Sequence, residues 1–187
     1  EVAVARFGTQ GSDLWRVKAD GSEARQLTRG GILDEGKTDV SWSPDGKTIA
    51  FVRKGKTARY WTVSAEGGEP RPVGADAGAR ADLAMAWSPD SKQMAIASGA
   101  EDEADIWIVP SDGGSPRALV ESPGVDTDPS WSPDGGQIVF ASNRPLAGGT
   151  EKEWNLWVVP AAGGEAQMIG AGHSPHWSAD GRTITYI

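Results

Sequence analysis

The side chains best suited to chemistry in this chain are carboxylates. Asp39 and Asp128 each lie three residues before a tryptophan, and Asp82 lies five residues before one. Carboxylates that converge can bind calcium, and a pair about 5–10 Å apart can act as the acid and base of a glycoside hydrolase. The same residues would also suit the polar lining of a channel, with no role in catalysis or metal binding. We favour the structural interpretation and leave cation binding and glycoside hydrolysis open.

The two histidines, His173 and His176, have Ser174 between them, an arrangement that could suggest a metal site or a hydrolase triad. The segment lacks the Gly-x-Ser-x-Gly turn of a serine hydrolase, and no third strong metal ligand is close in sequence. The chain has no cysteine, which excludes a disulfide, a cysteine nucleophile and a cysteine-ligated zinc site. We predict structural histidines, no metal, no cofactor and no enzymatic activity of the chain by itself.

Composition excludes further classes of function. The chain has 187 residues, 18 Lys plus Arg and 26 Asp plus Glu, so its net charge is −8. Such an acidic chain is a poor ligand for nucleic acid, because phosphates need a basic surface. No apolar run approaches the roughly 18 residues of a membrane span, so we predict no membrane insertion.

Two tryptophan motifs repeat along the chain with one period. Trp-Ser-Pro-Asp-Gly or a close variant occurs, at steps of 45, 44 and 46 residues, at Trp42, Trp87, Trp131 and Trp177. An apolar or tyrosine residue followed by tryptophan occurs, at steps of 46, 46 and 50 residues, at Trp15, Trp61, Trp107 and Trp157. Trp154 is the one tryptophan outside both series. A period of about 45 residues is typical of a propeller blade.

Each period is predicted to contain four short strands, A to D. Strand A ends in the Trp-Ser-Pro-Asp turn, strand B follows it, strand C carries the second tryptophan, and strand D has charge or proline. Strands B and C, such as 49–52 and 106–109, are apolar at successive positions, which indicates burial on both faces. Because such sheets must stack, the sequence predicts an all-β propeller of four-stranded antiparallel blades.

These repeats resemble a known family. The run from Trp42 to Phe51, the later Trp-x-Val and Gly-Gly motifs, and Ser142-Asn143-Arg144 are similar to the TolB-type, WD-like propeller repeat of bacteria. Similar repeats form the propeller domains of prolyl-oligopeptidase-like serine peptidases. The resemblance implies the fold and, through TolB-type proteins of the bacterial envelope, a periplasmic or exported location.

The strand inventory predicts about four blades within one domain, 1–187. Repeat boundaries are expected near 1–35, 36–80, 81–124, 125–171 and 172–187. The strands read B-C-D, then A-B-C-D three times, then A-B, so a closed four-bladed ring would have one surplus B strand. We therefore favour an open arc of a larger ring, with self-association through its open blade edges.

Antiparallel order divides the connections between two faces. The A–B and C–D turns are nearly uniform, whereas the B–C and D–A loops are irregular and hold 15 acidic and 8 basic residues, a difference of −7. We interpret this second face as the binding face for a cationic protein or peptide, with solvated loops as the alternative. The candidate partner-binding residues are Asp39, Asp82, Glu101, Asp102, Glu103, Asp126, Asp128, Glu151, Glu153 and Trp154.

The sequence thus predicts a non-catalytic propeller module for protein or peptide recognition. The alternative is a propeller that controls access to the catalytic domain of a larger serine peptidase, and a propeller glycosidase is less favoured. Trp154 has two interpretations of its own. It either extends strand C and packs on a neighbouring blade or anchors a ligand at the irregular face.

Overall fold

The computed structural model of the chain describes residues 2–8, 11–29, 40–53, 59–74, 84–100, 102–146 and 153–187. Every regular element in these ranges is a β-strand, which confirms the all-β prediction. No helix in the same ranges is long and apolar enough to cross a membrane.

The strands form five separate sheets in chain order. Blade 1 has three strands: β1 (Val2–Gly8), β2 (Gly11–Val17) and β3 (Arg25–Gln26). Blade 2 has β4 (Val40–Trp42), β5 (Thr48–Arg53), β6 (Arg59–Ser64) and β7 (Arg71–Val73). Blade 3 has β8 (Met85–Trp87), β9 (Gln93–Ala100), β10 (Glu103–Pro110) and β11 (Arg117–Val120). Blade 4 has β12 (Asp126–Trp131), β13 (Gln137–Ser142), β14 (Asn155–Pro160) and β15 (Gln167–Ala171), and blade 5 has β16 (His176–Trp177) and β17 (Ile184–Thr185).

Each blade is an antiparallel meander, and its B and C strands pair in an equivalent register. The strand C tryptophan pairs with a fixed position of strand B, as Phe51 with Trp61 and Phe140 with Trp157. In blade 1 the same position is Val4, opposite Trp15. Strand β1 is therefore a B strand, and blade 1 has no strand A among the described residues.

The core lies between the blades, where strand B is buried on both faces. Four successive residues are buried in β5 and in β9, and five are buried in β13. The fully buried side chains include Phe51, Tyr60 and Phe140. This continuous burial confirms the prediction for strand B. Strand C departs from the prediction, because half-buried residues interrupt the buried ones, as in β10.

The strand A tryptophans join neighbouring blades. The indole Nε1 of Trp131 donates to the carbonyl of Ala86 in the preceding blade at 3.1 Å, and Trp87 donates to Ser41 at 3.3 Å. Trp131 also lies in the apolar cluster that runs through blades 2 to 4. Trp87 and Trp131 thus pack between blades and satisfy their polar atoms there. The indole nitrogens of Trp42 and Trp177 are buried without a hydrogen-bond partner in the described structure.

The two terminal sheets do not join each other. Within the described residues, β1–β3 and β16–β17 remain separate sheets, and no strand pairing closes the ring. The predicted inventory of three strands, three complete blades and a final A–B pair is confirmed, and the blades form an open arc.

Candidate functional site

The connections of each blade lie at two opposite ends of its strands. We call the end with the A–B and C–D connections the turn face, which in blade 4 comprises residues 132–136 and 161–166. We call the opposite end the loop face, whose described residues there are 121–125, 143–146 and 153–154. Because successive strands are antiparallel, the connections of the remaining blades are divided between the same two faces.

The turn face is built from one repeated hydrogen-bonded unit. In blade 4 the Ser132 hydroxyl donates to Asp134 Oδ1 at 2.6 Å, the Gly136 amide donates to the same oxygen at 2.9 Å, and the Gln137 amide donates to Ser132 Oγ at 2.9 Å. The serine–aspartate bond recurs, at 2.6, 2.7 and 2.6 Å, in Ser43–Asp45, Ser88–Asp90 and Ser178–Asp180. Alanine at position 179, where the other repeats have proline, leaves the unit intact.

These hydrogen bonds lower the pKa of the turn aspartates. The serine hydroxyl, and then the backbone amide two residues on, hold the pKa of Asp45, Asp90, Asp134 and Asp180 below the usual value. The residue after each aspartate has positive φ: 70° at Gly46, 73° at Gly135, 69° at Gly181 and 62° at Ser91. The turn chemistry therefore explains the motif without a ligand.

The loop face has a different aspartate at the start of β12. Asp126 has no solvent-exposed area. Its two carboxylate oxygens accept bonds from Arg144 Nη2 at 3.0 and 3.1 Å and from the Ser122 hydroxyl at 3.1 and 3.0 Å. Burial raises the pKa of Asp126, and a hydrogen bond from Ser142 and the positive charge of Arg144 act in the opposite direction. The prediction that Asp126 contacts a partner is wrong, because its carboxylate is inside the protein and already paired.

Arg144 is the organising side chain of this cluster. Its guanidinium lies 4.4 Å from the centre of the Trp157 ring and 5.3 Å from that of Phe140, and its Nε donates to Ser142 Oγ at 2.8 Å. A guanidinium can stack on aromatic rings and pair with a carboxylate at the same time. The site prediction did not include this residue. The available signal was Ser142-Asn143-Arg144, a motif that carried only the family resemblance in the sequence.

Negative charge accumulates on the blade 3 side of the cluster. The Ser122 amide donates to Asp105 Oδ1 at 3.1 Å. Burial raises the pKa of Asp105, and the neighbouring charge of Glu121 raises it further, whereas the bond from Ser122 and the positive charge of Arg144 act in the opposite direction. Glu121 itself is exposed. The two carboxylates are thus close enough to repel each other at the rim of the loop face.

The inner ends of the last two blades meet at Asp128 and Ser174. The Ser174 hydroxyl donates to Asp128 Oδ2 at 3.1 Å, and His173 Nδ1 lies 3.2 Å from Ser174 Oγ. The serine proton is directed to the aspartate, so His173 does not accept it, as the base of a hydrolase triad would have to. Both Asp128 and Ser174 have φ of 52°, and the register of β12 shifts at this point. We interpret the group as an inter-blade link.

The remaining described candidates lie at the loop face. Asp102, Glu103 and Glu153 are exposed, and Trp154 is half-buried immediately before β14. The Trp154 carbonyl accepts the Gly172 amide at 2.9 Å, which fixes its backbone between the B–C and D–A connections. The structure therefore places an aromatic side chain directly after the exposed Glu153, and it leaves both interpretations of Trp154 open.

Four predicted candidates, Asp39, Asp82, Glu101 and Glu151, lie outside the described residues. The convergence of Asp39 and Asp82 with Asp128 therefore stays a prediction. Within the described ranges no group of three or more histidine, cysteine, aspartate or glutamate side chains is placed to hold a metal ion.

The separate four-stranded antiparallel blades, joined by repeat tryptophans, define a β-propeller assembled from repeats of one type. The family described as TolB beta propeller domain matches residues 79–187, more than half of the chain. The chain belongs to this family, and the resemblance seen in its motifs is confirmed.

Relatives of two kinds share the repeat. The chain is 31% identical over 110 residues to the uncharacterized peptidase YuxL of Bacillus subtilis, which covers 54% of this chain and 16% of the relative. It is 28% identical over 93 residues to the Tol-Pal system protein TolB of Anaeromyxobacter dehalogenans, covering 49% and 20% of the two chains. The chain thus spans a fifth or less of the length of these relatives.

The fold itself is similar to that of solved propellers. The crystal structure of TolB from Acinetobacter baumannii superposes with a TM-score of 0.73 at 16% identity, over 97% of this chain and 44% of that one. At this identity the similarity supports the fold alone, so function has to be argued from the faces of the molecule.

Proposed function

We propose that the chain is a non-catalytic recognition module that binds a cationic segment of a protein or peptide through its loop face. The observation that carries this proposal is the blade 3 rim. Asp102, Glu103 and Glu121 are exposed there, and no lysine or arginine pairs with them among the described residues. An acidic rim attracts cationic ligands and raises their rate of association.

The raised pKa of Asp105 supports the same proposal. Part of that rise comes from Glu121, so the rim holds like charges at close range. A lysine or arginine from a partner would relieve this repulsion. Asp126 does not contribute, because Arg144 already neutralises it. Trp154 supplies a half-buried aromatic side chain at the same loop face, and tryptophan is enriched among the residues that dominate binding energy.

A charge-matched peptide pair tests the proposal. A fluorescein-labelled Lys-Gly repeat peptide should bind the chain at low salt, the Glu-Gly analogue should not, and the affinity should fall with salt. The variant Asp102→Asn, Glu103→Gln, Glu121→Gln should lose most of the binding measured by fluorescence anisotropy. The turn-face control, Glu69→Gln with Glu165→Gln, should retain it. Equal loss of peptide binding in both variants would mean that net charge alone explains the binding, which would contradict the proposal.

The second candidate function is the control of access to a peptidase active site. Its support is the 31% identity to a relative named as a peptidase. In this function the chain would be one part of a larger peptidase. A hydrolase domain with a Gly-x-Ser-x-Gly turn in the same polypeptide would favour this function. For the recognition module, a periplasmic or exported location follows from the TolB-type resemblance, and cell fractionation of the tagged native protein tests it.

A further inference from the structure

The strands of blade 2 carry a polar patch on the side that faces blade 3. Tyr60 identifies this side, because its hydroxyl donates to the carbonyl of Ala97 in blade 3 at 3.0 Å. Thr62 lies two residues further along β6 and therefore points to the same side. Arg71 in β7 is the cross-strand partner of Thr62, so it shares that side. The register thus places a guanidinium and a hydroxyl group together at the boundary between two blades.

A cleft opens between this patch and blade 3 on the turn face. It lies between two four-stranded blades in the interior of the arc, and its volume is about 660 Å³. Sites for small molecules usually have volumes of roughly 300–1,000 Å³. The polar side chains that line it include Thr48, Thr62, Ser64, Glu69 and Arg71 of blade 2 and Asp112 of blade 3.

Thr62 is buried at a position where other blades have an apolar side chain. The residue is 6% exposed, and its hydroxyl makes no hydrogen bond to any described residue. The equivalent residue, directly after the strand C tryptophan, is Ile108 in blade 3 and Val158 in blade 4. A buried hydroxyl group without a partner costs stability. Because Thr62 lines the cleft, a molecule bound there can supply the missing hydrogen bond.

Arg71 belongs to a repeated arginine position, and it is the member that has no partner among the described residues. Strand D begins with arginine in blades 1, 2 and 3, each time opposite the residue after the strand C tryptophan. Arg25 Nη1 donates to Glu66 Oε2 in the C–D turn of the next blade at 3.1 Å. Arg117 Nη2 donates to the carbonyl of Ala161 in the C–D turn of the next blade. The guanidinium of Arg71 has no such bond and is available to a ligand.

The C–D turn of blade 3 explains why Arg71 is unpaired. Asp112 occupies the place that Glu66 occupies in blade 2. Its side chain is one methylene shorter, and its Oδ1 accepts the Gly114 amide of its own turn at 3.1 Å. Glu69, on the blade 2 side of the cleft, is exposed and has no partner among the described residues. The cleft therefore combines one unpaired guanidinium with two carboxylates, which would repel a ligand that carries negative charge alone.

We propose that this cleft binds a small zwitterion of about the size of a dipeptide, with one carboxylate and one ammonium group. Arg71 pairs with the ligand carboxylate, which also accepts a hydrogen bond from the Thr62 hydroxyl. Glu69 and Asp112 pair with the ammonium group. A guanidinium can bind a carboxylate through two parallel hydrogen bonds, which fixes the orientation of the ligand. The site lies on the turn face and does not depend on the loop-face proposal.

Three related dipeptides test the ligand class by chemical-shift titration of the isotope-labelled chain. Glycylglycine carries both charges, N-acetyl-glycylglycine lacks the ammonium group, and glycylglycinamide lacks the carboxylate. We expect glycylglycine to bind most tightly, with saturable shifts of the backbone amides at 62–64, 67–69 and 111–113. Glycylglycinamide should bind at least about fivefold more weakly, because it cannot form the charged pair with Arg71. Equal affinities of these two dipeptides, or no saturable shift at the cleft with glycylglycine, would overturn the proposal.

Two matched arginine variants test the assignment of the carboxylate to Arg71. Arg71→Gln and Arg117→Gln each remove one guanidinium from the first position of strand D, so they change the net charge equally. Arg71→Gln should weaken the binding of glycylglycine by at least about tenfold. Arg117→Gln loses a bond between blades 3 and 4 and should leave the affinity unchanged. Equal affinities of the two variants would overturn the proposal.

Thr62→Val tests the buried hydroxyl in a variant that should fold, because blade 4 has valine at the equivalent position. We expect binding of glycylglycine about threefold weaker than in the wild type, with a melting temperature that is unchanged or raised. An unchanged affinity would overturn the proposed hydrogen bond from Thr62. The loop-face variant Asp102→Asn, Glu103→Gln, Glu121→Gln should bind glycylglycine as the wild type does. Failure of this proposal is therefore distinguishable from failure of the loop-face proposal.

Discussion

Two aspartates near opposite ends of strand β12 have opposite environments. Asp134 on the turn face is exposed, and hydrogen bonds lower its pKa, whereas Asp126 on the loop face is buried, and burial raises its pKa. Asp134 belongs to a unit repeated in four blades, but Asp126 belongs to a cluster with Arg144 that blade 4 alone shows in the described residues. The repeated turn unit thus accounts for the residues of the turn face, whereas the loop face has residues that depart from the repeat.

Trp131, which ends β12 between these two aspartates, should give the largest effect on stability. Trp131→Ala removes a buried ring and the bond to Ala86, so we expect a loss of about 3–5 kcal/mol in the free energy of unfolding. Chemical denaturation measures it. An unchanged unfolding midpoint would mean that the repeat tryptophan does not hold the blades together.

Arg144→Ala should have the next largest effect. It leaves the Asp126 carboxylate buried and uncompensated, at a cost of about 3 kcal/mol, near the low end for buried pairs because Arg144 keeps 15% of its side chain exposed. Arg53→Ala is the matched control, since Arg53 stacks 5.5 Å from the Trp61 ring but is exposed and has no carboxylate partner among the described residues. The control should lose at most about 1 kcal/mol. Equal losses would remove the distinction between the cluster and the ordinary repeat.

Trp154→Ala separates the two interpretations of that residue. If Trp154 anchors a ligand, the melting temperature stays nearly constant while binding of the lysine peptide weakens by about 2 kcal/mol. Calorimetry and anisotropy on the same samples measure both quantities. A loss of stability comparable to that of Trp131→Ala would instead assign Trp154 to the core.

The smallest effects are in the pH dependence of stability, and the two aspartates should give opposite signs. A carboxyl group with a lowered pKa stabilises the fold above about pH 4, and that stabilisation is lost as the pH falls. The deficit of Asp134→Asn relative to wild type should therefore shrink below about pH 4. Asp126 has a raised pKa and stabilises the fold at low pH, so the deficit of Asp126→Asn should widen there. Acid denaturation of both variants measures how each stability deficit changes with pH. A deficit that changes in the same direction in both variants would contradict the opposite environments of the two aspartates.

The repeat made the fold predictable, whereas the site depended on contacts between loops that are distant in sequence. The spacing of Trp42, Trp87, Trp131 and Trp177 predicted the blades, and the strand inventory predicted the open arc, because local patterns define each strand. Asp126 was misassigned because its partner Arg144 is 18 residues away and its burial depends on how two loops pack. Nothing in the sequence alone distinguishes an exposed rim carboxylate, such as Glu103, from a neutralised one.

Chemical-shift mapping gives the most direct test of the difference between the faces. The isotope-labelled chain is titrated with the lysine peptide at low salt. The account predicts that perturbed backbone amides cluster at residues 102–105, 121–122 and 153–154 on the loop face, and that those of the four Ser-x-Asp turns stay unchanged. Perturbations centred on the turns at 45–47, 90–92, 134–136 and 180–182 would contradict it.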